Sequence, residues 1–267
     1  MLAVQRHQLI IDELRRLGAV RVSDLTDLLA VSEMTVRRDL DALAADGLLE
    51  KVHGGAMLPG RLSADEPGFE AKSHRQLREK EAIAREAARL VAPGQSIGVT
   101  AGTTTWRLAH HLARIPELTV VTNSIQVANV FHRDARTDRT VVLTGGVRTP
   151  SDALVGPVAV STIRSLHLDV LFIGVHGVTA DAGLTTPNLL EAETDRALVA
   201  ASEQRIVVAD HTKWGVRGLS RIAGLEDVHV FVSDSGLAAD ARAAIAEHAE
   251  RVLIAQIRRR DGNGGSA

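Results

Sequence analysis

"VSEMTVRRDLDALAADGLLEKVHGGA", residues 31–56, sets a serine, two adjacent arginines and several glycines around one short helical pattern. Ser32 is a good N-cap, because its hydroxyl can accept a bond from an unsatisfied N–H of the first turn. Val36, Leu40 and Leu43 recur at helical spacing and make one apolar stripe. Met34, Arg38, Asp41, Ala42 and Ala45 fall on the opposite side, with Thr35 and Arg37 at its edges. Gly47 suits the left-handed residue that ends a helix. The outward face fits a DNA major groove: Arg37 and Arg38 offer forked donors, Thr35 a short hydroxyl, and the alanines keep the face slim. Two arginines alone would mark only a solvated face. The residues before them decide.

Leu9, Ile10, Leu14 and Leu17 repeat at helical spacing within residues 5–17, and Gly18 stops the pattern. Val20-Arg21-Val22 reads as a short extended piece and Ser23 as a second N-cap. Residues 24–30 then predict a two-turn helix with Leu25, Leu28 and Leu29 inward. Only Val31 and Ser32 separate it from the arginine helix, the tight connection of a helix-turn-helix. Residues 48–52 read as a strand and His53-Gly54-Gly55 as the turn of a wing. The quoted stretch closely resembles the N-terminal signature of DeoR-type bacterial transcriptional regulators. That resemblance implies double-stranded operator DNA as a partner. It also implies that Thr35, Arg37 and Arg38 sit at the DNA surface, with Ser32 capping the helix beneath them and Met34 on the same outward face.

Bulk charge does not favour nucleic acid. The chain has a formal net charge of −2, and residues 1–57 hold seven Lys/Arg against nine Asp/Glu. DNA binding therefore needs local charge on one surface, from Arg37, Arg38, Arg21, Lys51 and His53. Specific binding with limited non-specific affinity is expected, from a homodimer or homotetramer. With no cysteine among 267 residues, disulfides and thiolate metal sites are excluded, and no cofactor or metal is implied. No membrane-length apolar run or secretory pattern is present, so a cytoplasmic location is expected.

Residues 58–73 lose periodicity and hold Pro59, Gly60, Pro67 and Gly68, which reads as a linker with one short extended piece around Phe69. The expected division is a winged helix-turn-helix domain over 1–57, this linker, an effector-sensing and oligomerisation domain over 74–257, and a flexible tail over 258–267. In the third segment an amphipathic helix over 79–91 precedes strands at 96–99, 118–122, 140–144, 168–175, 205–210, 228–233 and 251–255, with helices between most of them. Continuous Val/Ile/Leu strands alternating with helices predict an α/β domain with a mainly parallel sheet.

Ligands bind such sheets outside the carboxyl ends of the strands. Here those ends read "TAGTTTWRLA", "TNS", "TGG", "HGV" and Asp210-His211-Thr212-Lys213. Glycine lets a ligand approach the backbone, while threonine hydroxyls and helix N-terminal N–H groups can bind an anion such as phosphate. Each end alone is no more than a helix cap or turn. Five together favour a small polyhydroxylated or phosphorylated ligand. "EKEAIAREAARLV", "AGTTTWRLA", "LTVVTNS", "VVLTGG", "GLTTPNLLEAETDRALV" and "VVADHTKWG" resemble the DeoR-type sensor domain in order and spacing, which extends the resemblance to about Gly236. That implies a fold similar to sugar-phosphate isomerases and CoA transferases, and a phosphorylated sugar as effector. By position its phosphate would meet Gly102, Thr103, Thr104 and Thr105, and its sugar Asn123, Ser124, Gly145, Gly146, His176, Asp210 and Lys213. Two departures bear on which sugar: Thr100 stands where relatives often have aspartate, and His176 where they commonly have an acid or amide.

The rival class is a sugar-phosphate isomerase-like enzyme with a fused DNA-binding domain, using Glu191, Glu193, Asp152 or Asp181 as the carboxylate base. His176 and Gly177 stand at the strand end that would need paired acids. The expectation is therefore a non-enzymatic repressor of carbohydrate-metabolism genes, released from its operator by a phosphorylated sugar or related metabolite.

Overall fold

The computed structural model describes residues 2–17, 19–52, 55–57, 68–133 and 136–257. The chain divides into two compact units, Met1–Ser63 and Ala64–Ala267.

The first unit runs α1 (Ala3–Leu17), β1 (Ala19–Arg21), α2 (Val22–Leu29), α3 (Glu33–Ala45), β2 (Glu50–Val52) and β3 (Gly55–Met57). Ile10, Leu14, Leu25, Leu29, Val36, Leu40, Leu43 and Leu49 form its core. Leu28, expected inward, is 52% exposed, and Leu9 of the apolar repeat in α1 is 41% exposed. Both lie beside, not on, the strip that three short helices can share. Helix α2 starts at Val22, so Ser23, expected as its N-cap, lies within its first turn. The three strands pair antiparallel in the order β1-β3-β2, so Gly55 belongs to a strand rather than to the wing's turn. His53 and Gly54 lie outside the described residues. Helix α3 ends as its sequence predicts: Gly47 has φ +69°, its N–H donates to the Ala44 carbonyl, and the Leu48 N–H donates to that of Leu43. These two bonds satisfy carbonyls that the helix end would otherwise leave open.

The second unit opens with α4 (Phe69–Ser73) and α5 (Leu77–Ala87), the latter prolonged by a 3-10 turn. The expected extended piece around Phe69 is helical instead. There follow β4 (Ser96–Val99), α6 (Thr103–Leu112), β5 (Thr119–Thr122), α7 (Ile125–Arg133), β6 (Thr140–Leu143), β7 (Val147–Arg148), β8 (Leu154–Val155) and α8 (Pro157–Arg164). The rest is β9 (Leu168–Ile173), β10 (Gly177–Thr179), β11 (Gly183–Thr186), α9 (Leu189–Ala200), β12 (Ser202–Val208), β13 (Ser220–Ala223), β14 (Val230–Asp234), α10 (Ala239–Ala246) and β15 (Arg251–Ala255). Seven strands form one parallel sheet in the order β15-β14-β12-β9-β4-β5-β6. Strand alternation divides the core between its two faces. Val170 and Phe172 pack with Ile83, Leu108, Leu112 and Phe131 of α5 to α7. Leu171 and Ile173 pack with Ile163, Leu198 and Ile245 of α8 to α10. Each such side chain, when fully buried, contributes about 1.5–3 kcal/mol relative to exposure. The small antiparallel sheet β10-β11-β13 and the β7–β8 ladder had no counterpart in the sequence reading.

The chain proceeds outward from β4 to β5 and β6, then returns to β9 on β4's other side and continues to β12, β14 and β15. The direction of travel reverses between β4 and β9. A crevice opens at such a point, beyond the carboxyl ends of the two strands.

Candidate functional site

On α3, Ser32 Oγ accepts the Thr35 N–H at 3.2 Å, and the two hydroxyls lie 2.9 Å apart. The Ser32 cap is thus present as read, and it engages the Thr35 side chain as well. Met34 is 75% exposed. Arg37 is tied back to Glu33, its Nε and Nη2 donating to Oε1 at 3.1 and 2.5 Å. Arg38 is exposed and makes no hydrogen bond or ion pair among the described residues, so its fork is available. Arg21 and Lys51 sit in β1 and β2, and their side chains lie outside the described set, as does all of His53.

The inward side of α3 holds a group that sequence reading missed. Asp39 is buried and accepts both arms of Arg6, Nε at 2.6 Å and Nη2 at 3.0 Å, with His7 Nε2 at 3.1 Å. The Arg6 hydrogen bond outweighs burial, with His7 adding to it, and holds the Asp39 carboxyl below the usual carboxylate range. This clamp fixes α3 to α1. An arginine 33 positions upstream of its aspartate leaves no local signal.

In the second unit, neighbouring strand ends are tied by side chains. Asn123 Oδ1 accepts the Ala101 N–H at 2.9 Å, joining the end of β5 to that of β4. Thr100 Oγ1 accepts the Gly174 N–H at 3.0 Å, joining β4 to β9. Ser124 Oγ accepts the Val127 N–H and caps α7. Between these, the N-cap of α6 is Gly102, which has no side chain to cap it, so the N–H groups of its first turn lack a capping partner among the described residues. Thr103 and Thr104 are buried, and their hydroxyls make no hydrogen bond among the described residues. Thr105 differs: it is fully buried and its hydroxyl donates to the Gly102 carbonyl at 3.0 Å. Gly145 and Gly146 have φ of +74° and +115°, and a Cβ on Gly146 would lie 2.4 Å from the Val155 carbonyl oxygen. Close passage of the chain at β8 is enough to require that glycine. His176 is half-buried and donates its N–H to the Thr185 carbonyl. Asp210 is buried and accepts the N–H and hydroxyl of Thr212, while Lys213 is half-buried and its ammonium makes no hydrogen bond or ion pair among the described residues. From β6 to β12 the candidate residues span four strand spacings, about 19 Å.

Lys80, which carries no signal in the sequence, lies on α5 and is 4% exposed. Its ammonium donates to the Lys72 carbonyl at 2.8 Å. Burial pushes its pKa down to about 8; Asp210 pulls it up, while Lys213, Arg107 and Lys72 push it further down. At the end of β14, burial would raise the Asp234 carboxyl, but hydrogen bonds from the His211 ring and the His211 and Gly236 N–H groups hold it low. The cations around Lys80 outnumber the carboxylate, an arrangement that favours an anion.

The four candidate base carboxylates are engaged elsewhere or exposed. Glu191 accepts the hydroxyls of Thr149, at 2.6 Å, and Ser151. Asp152 is held by Gln126 and Arg148, Asp181 pairs with Arg217, and Glu193 is exposed. Among the described residues no cluster of acids and histidines could hold a metal, and no helix is long and apolar enough to cross a membrane.

Residues 6–61 match the DeoR-like helix-turn-helix domain, and residues 75–235 match the DeoR C terminal sensor domain. The chain is a DeoR-family transcriptional regulator. The regulator is 35% identical to the uncharacterized HTH-type transcriptional regulator YgbI of Escherichia coli, over 96% of this chain and 99% of that protein. It is 32% identical to the glycerol-3-phosphate regulon repressor of Escherichia coli, over 88% and 92% of the two chains. Among solved structures, a D-ribose-5-phosphate isomerase in complex with phospho-erythronic acid is 17% identical over 51% of this chain and 52% of that one, with a TM-score of 0.38. A DeoR-family regulator acts by binding DNA, and the family assignment sets aside the isomerase-like enzyme considered from the sequence. In the regulator the helix-turn-helix that carries Arg37 and Arg38 is accordingly the DNA-binding element.

Proposed function

We propose that this regulator represses carbohydrate-metabolism genes and leaves its operator when a phosphorylated sugar or related metabolite binds the strand ends of the sensor unit. Residues 1–57 are assigned to operator binding, and 74–257 to effector binding and to assembly as a homodimer or homotetramer. Arg38 and Thr35 read the groove. Arg37 exchanges its Glu33 partner for DNA, Ser32 keeps the helix start in register, and Met34, Arg21, Lys51 and His53 complete the surface. The single observation that carries the effector assignment is the uncapped start of α6. The first-turn N–H groups and the Thr103 and Thr104 hydroxyls, which make no hydrogen bond among the described residues, lie at the end of β4, beside the β4–β9 crevice. A helix N-terminus carries about half a positive charge, so the arrangement suits phosphate. Gly102 lets the phosphate approach the backbone. Asn123, Ser124 and His176 flank it, Asp210 and Lys213 stand on the β12 side, and Gly145-Gly146 shape the far rim. The name of the glycerol-3-phosphate regulon repressor supports a phosphorylated effector for this chain too.

Calorimetry on a panel of sugar phosphates and their free sugars tests this. A phosphorylated ligand is expected to bind and its free sugar barely. Thr104→Val keeps the shape, deletes the hydroxyl, and is expected to bind operator normally while losing the response to ligand. Equal affinities for sugar and sugar phosphate, or a Thr104→Val protein that responds like the parent, would rule the loop out as the phosphate site.

A further inference from the structure

Helices α6 and α7 pack against each other, start at the carboxyl ends of β4 and β5, and run back to the opposite end of the sheet. Near their last turns lies a cavity of about 350 Å3, lined by His110, Ala113, Arg114, Val130 and Arg133. Two of these residues are cations, a third can become one, and none is a carboxylate. Neither arginine makes a hydrogen bond or ion pair among the described residues, so both guanidinium forks are available. Glu81 of α5, the carboxylate that acts on His110, is engaged elsewhere: it meets His111 Nε2 at 2.8 Å and Arg107 at 3.8 Å. We propose that this cavity is a second anion site, separate from the strand-end site, and that it takes a small phosphate or phosphate monoester.

A basic residue in the last turn of a helix is ordinary, because it offsets the helix dipole. His110, His111, His132 and Arg133 all stand in such turns. Arg114 does not. It follows the C-cap Ala113, yet its side chain lines the same cavity. Offsetting a dipole also needs no cavity, and it gives no reason to gather two guanidinium groups and an imidazole on one concave wall. Like charges so placed repel, a cost that a bound dianion offsets. Each guanidinium can give two parallel N–H groups to an oxyanion, which suits a tetrahedral phosphate. The field at the cavity is positive: burial lowers the His110 pKa, and Arg107, His111 and Arg133 lower it further against the opposing pull of Glu81. Ala113 and Val130, both 7% exposed, supply a short apolar wall. The volume is at the low end for ligand pockets, so it suits a phosphate on a few carbons. Thr104 and Arg114 stand about 15 Å apart along the line of α6, at 1.5 Å per residue, so one small phosphate cannot serve both sites.

The His110 ring reports on the cavity from inside it. Proton NMR of its Cε1–H, assigned with His110→Gln, can follow a titration with inorganic phosphate against sodium chloride of equal ionic strength. Phosphate should move the resonance and raise the His110 pKa, because a nearby dianion favours the charged imidazole. Chloride should do neither. Arg114→Gln with Arg133→Gln should weaken phosphate here by about tenfold or more for each arginine. Melting of that variant should hardly move, since both side chains are exposed. Thr104→Val should leave the His110 response as in the parent. Equal effects of phosphate and chloride, or an arginine variant that responds like the parent, would overturn the proposal. So would a His110 response that disappears in Thr104→Val, because the shift would then come from the strand-end site.

Discussion

The Lys80 ammonium is buried, has one hydrogen bond and titrates at about 8, so at neutral pH it is charged against the preference of its surroundings. Its unfolded value is about 10.4. Between about 8 and 10.4 the unfolded chain holds a proton that the folded chain lacks, so stability rises with pH across that window. Below it both states are protonated and the fold carries the full burial cost, on the order of 3 kcal/mol. Lys80→Met should therefore be more stable than the parent at pH 7, by somewhat less than that because the bond to Lys72 is lost. The advantage should shrink between pH 8 and 10 as the parent sheds its proton. Denaturant unfolding at three pH values measures this, and a difference that stays constant from pH 7 to 10 would contradict the charge argument. Asp39 runs the opposite way. Its carboxyl is held low chiefly by Arg6, so the clamp's contribution is present above the ordinary carboxylate range and is lost as pH falls below it.

Helix α3 separates two properties that a single substitution usually confounds. Gly47 at φ +69° has open space where a Cβ would stand, so Gly47→Ala costs backbone strain alone, about 1–2 kcal/mol. The outward arginines do the reverse. Arg37→Ala with Arg38→Ala leaves the Val36-Leu40-Leu43 stripe intact, so melting should hardly move, while each lost bidentate base contact costs about 1–3 kcal/mol of operator affinity. Operator titrations and unfolding curves on the two proteins should give opposite patterns, and undiminished operator binding by the arginine pair would refute the groove assignment. This helix was legible because its cap, stripe and stop are all local. So were most strands of the large sheet, whose Val/Ile/Leu runs stand out between turns. Helix α4 was misread because five residues hold too little periodicity to show a helix, and its anchors Trp106, Lys80 and Pro150 lie far along the chain. Lys80 and Asp39 were invisible for a related reason. A charged residue on an amphipathic helix reads as solvent-facing until the fold supplies Asp210 or Arg6. Thr105 looked equivalent to Thr103 and Thr104 until the turn of α6 directed its hydroxyl inward.

The molecule as a whole is slightly acidic, and its first 57 residues are too, at seven cations against nine anions. Such a chain cannot rely on diffuse attraction to DNA, so affinity has to come from a few placed contacts. The cations assigned to the DNA surface are Arg21, Arg37, Arg38 and Lys51, and Arg37 is already paired with Glu33 before DNA arrives. Each phosphate neutralised contributes about −0.9 to the slope of log affinity against log salt. With His53 neutral, four contacts at most give a slope of about −3.6 per DNA-binding unit, and shallower if Arg37 or Arg38 is spent on base edges rather than phosphate. Operator titrations across a series of salt concentrations should fall at or below that steepness for each bound unit. Glu33→Gln releases Arg37 from its partner and should raise non-specific affinity more than operator affinity, because a specific complex already separates the pair. A slope twice as steep per unit would mean that basic residues outside this surface bind the backbone, and the recognition surface drawn around α3 would then be too small.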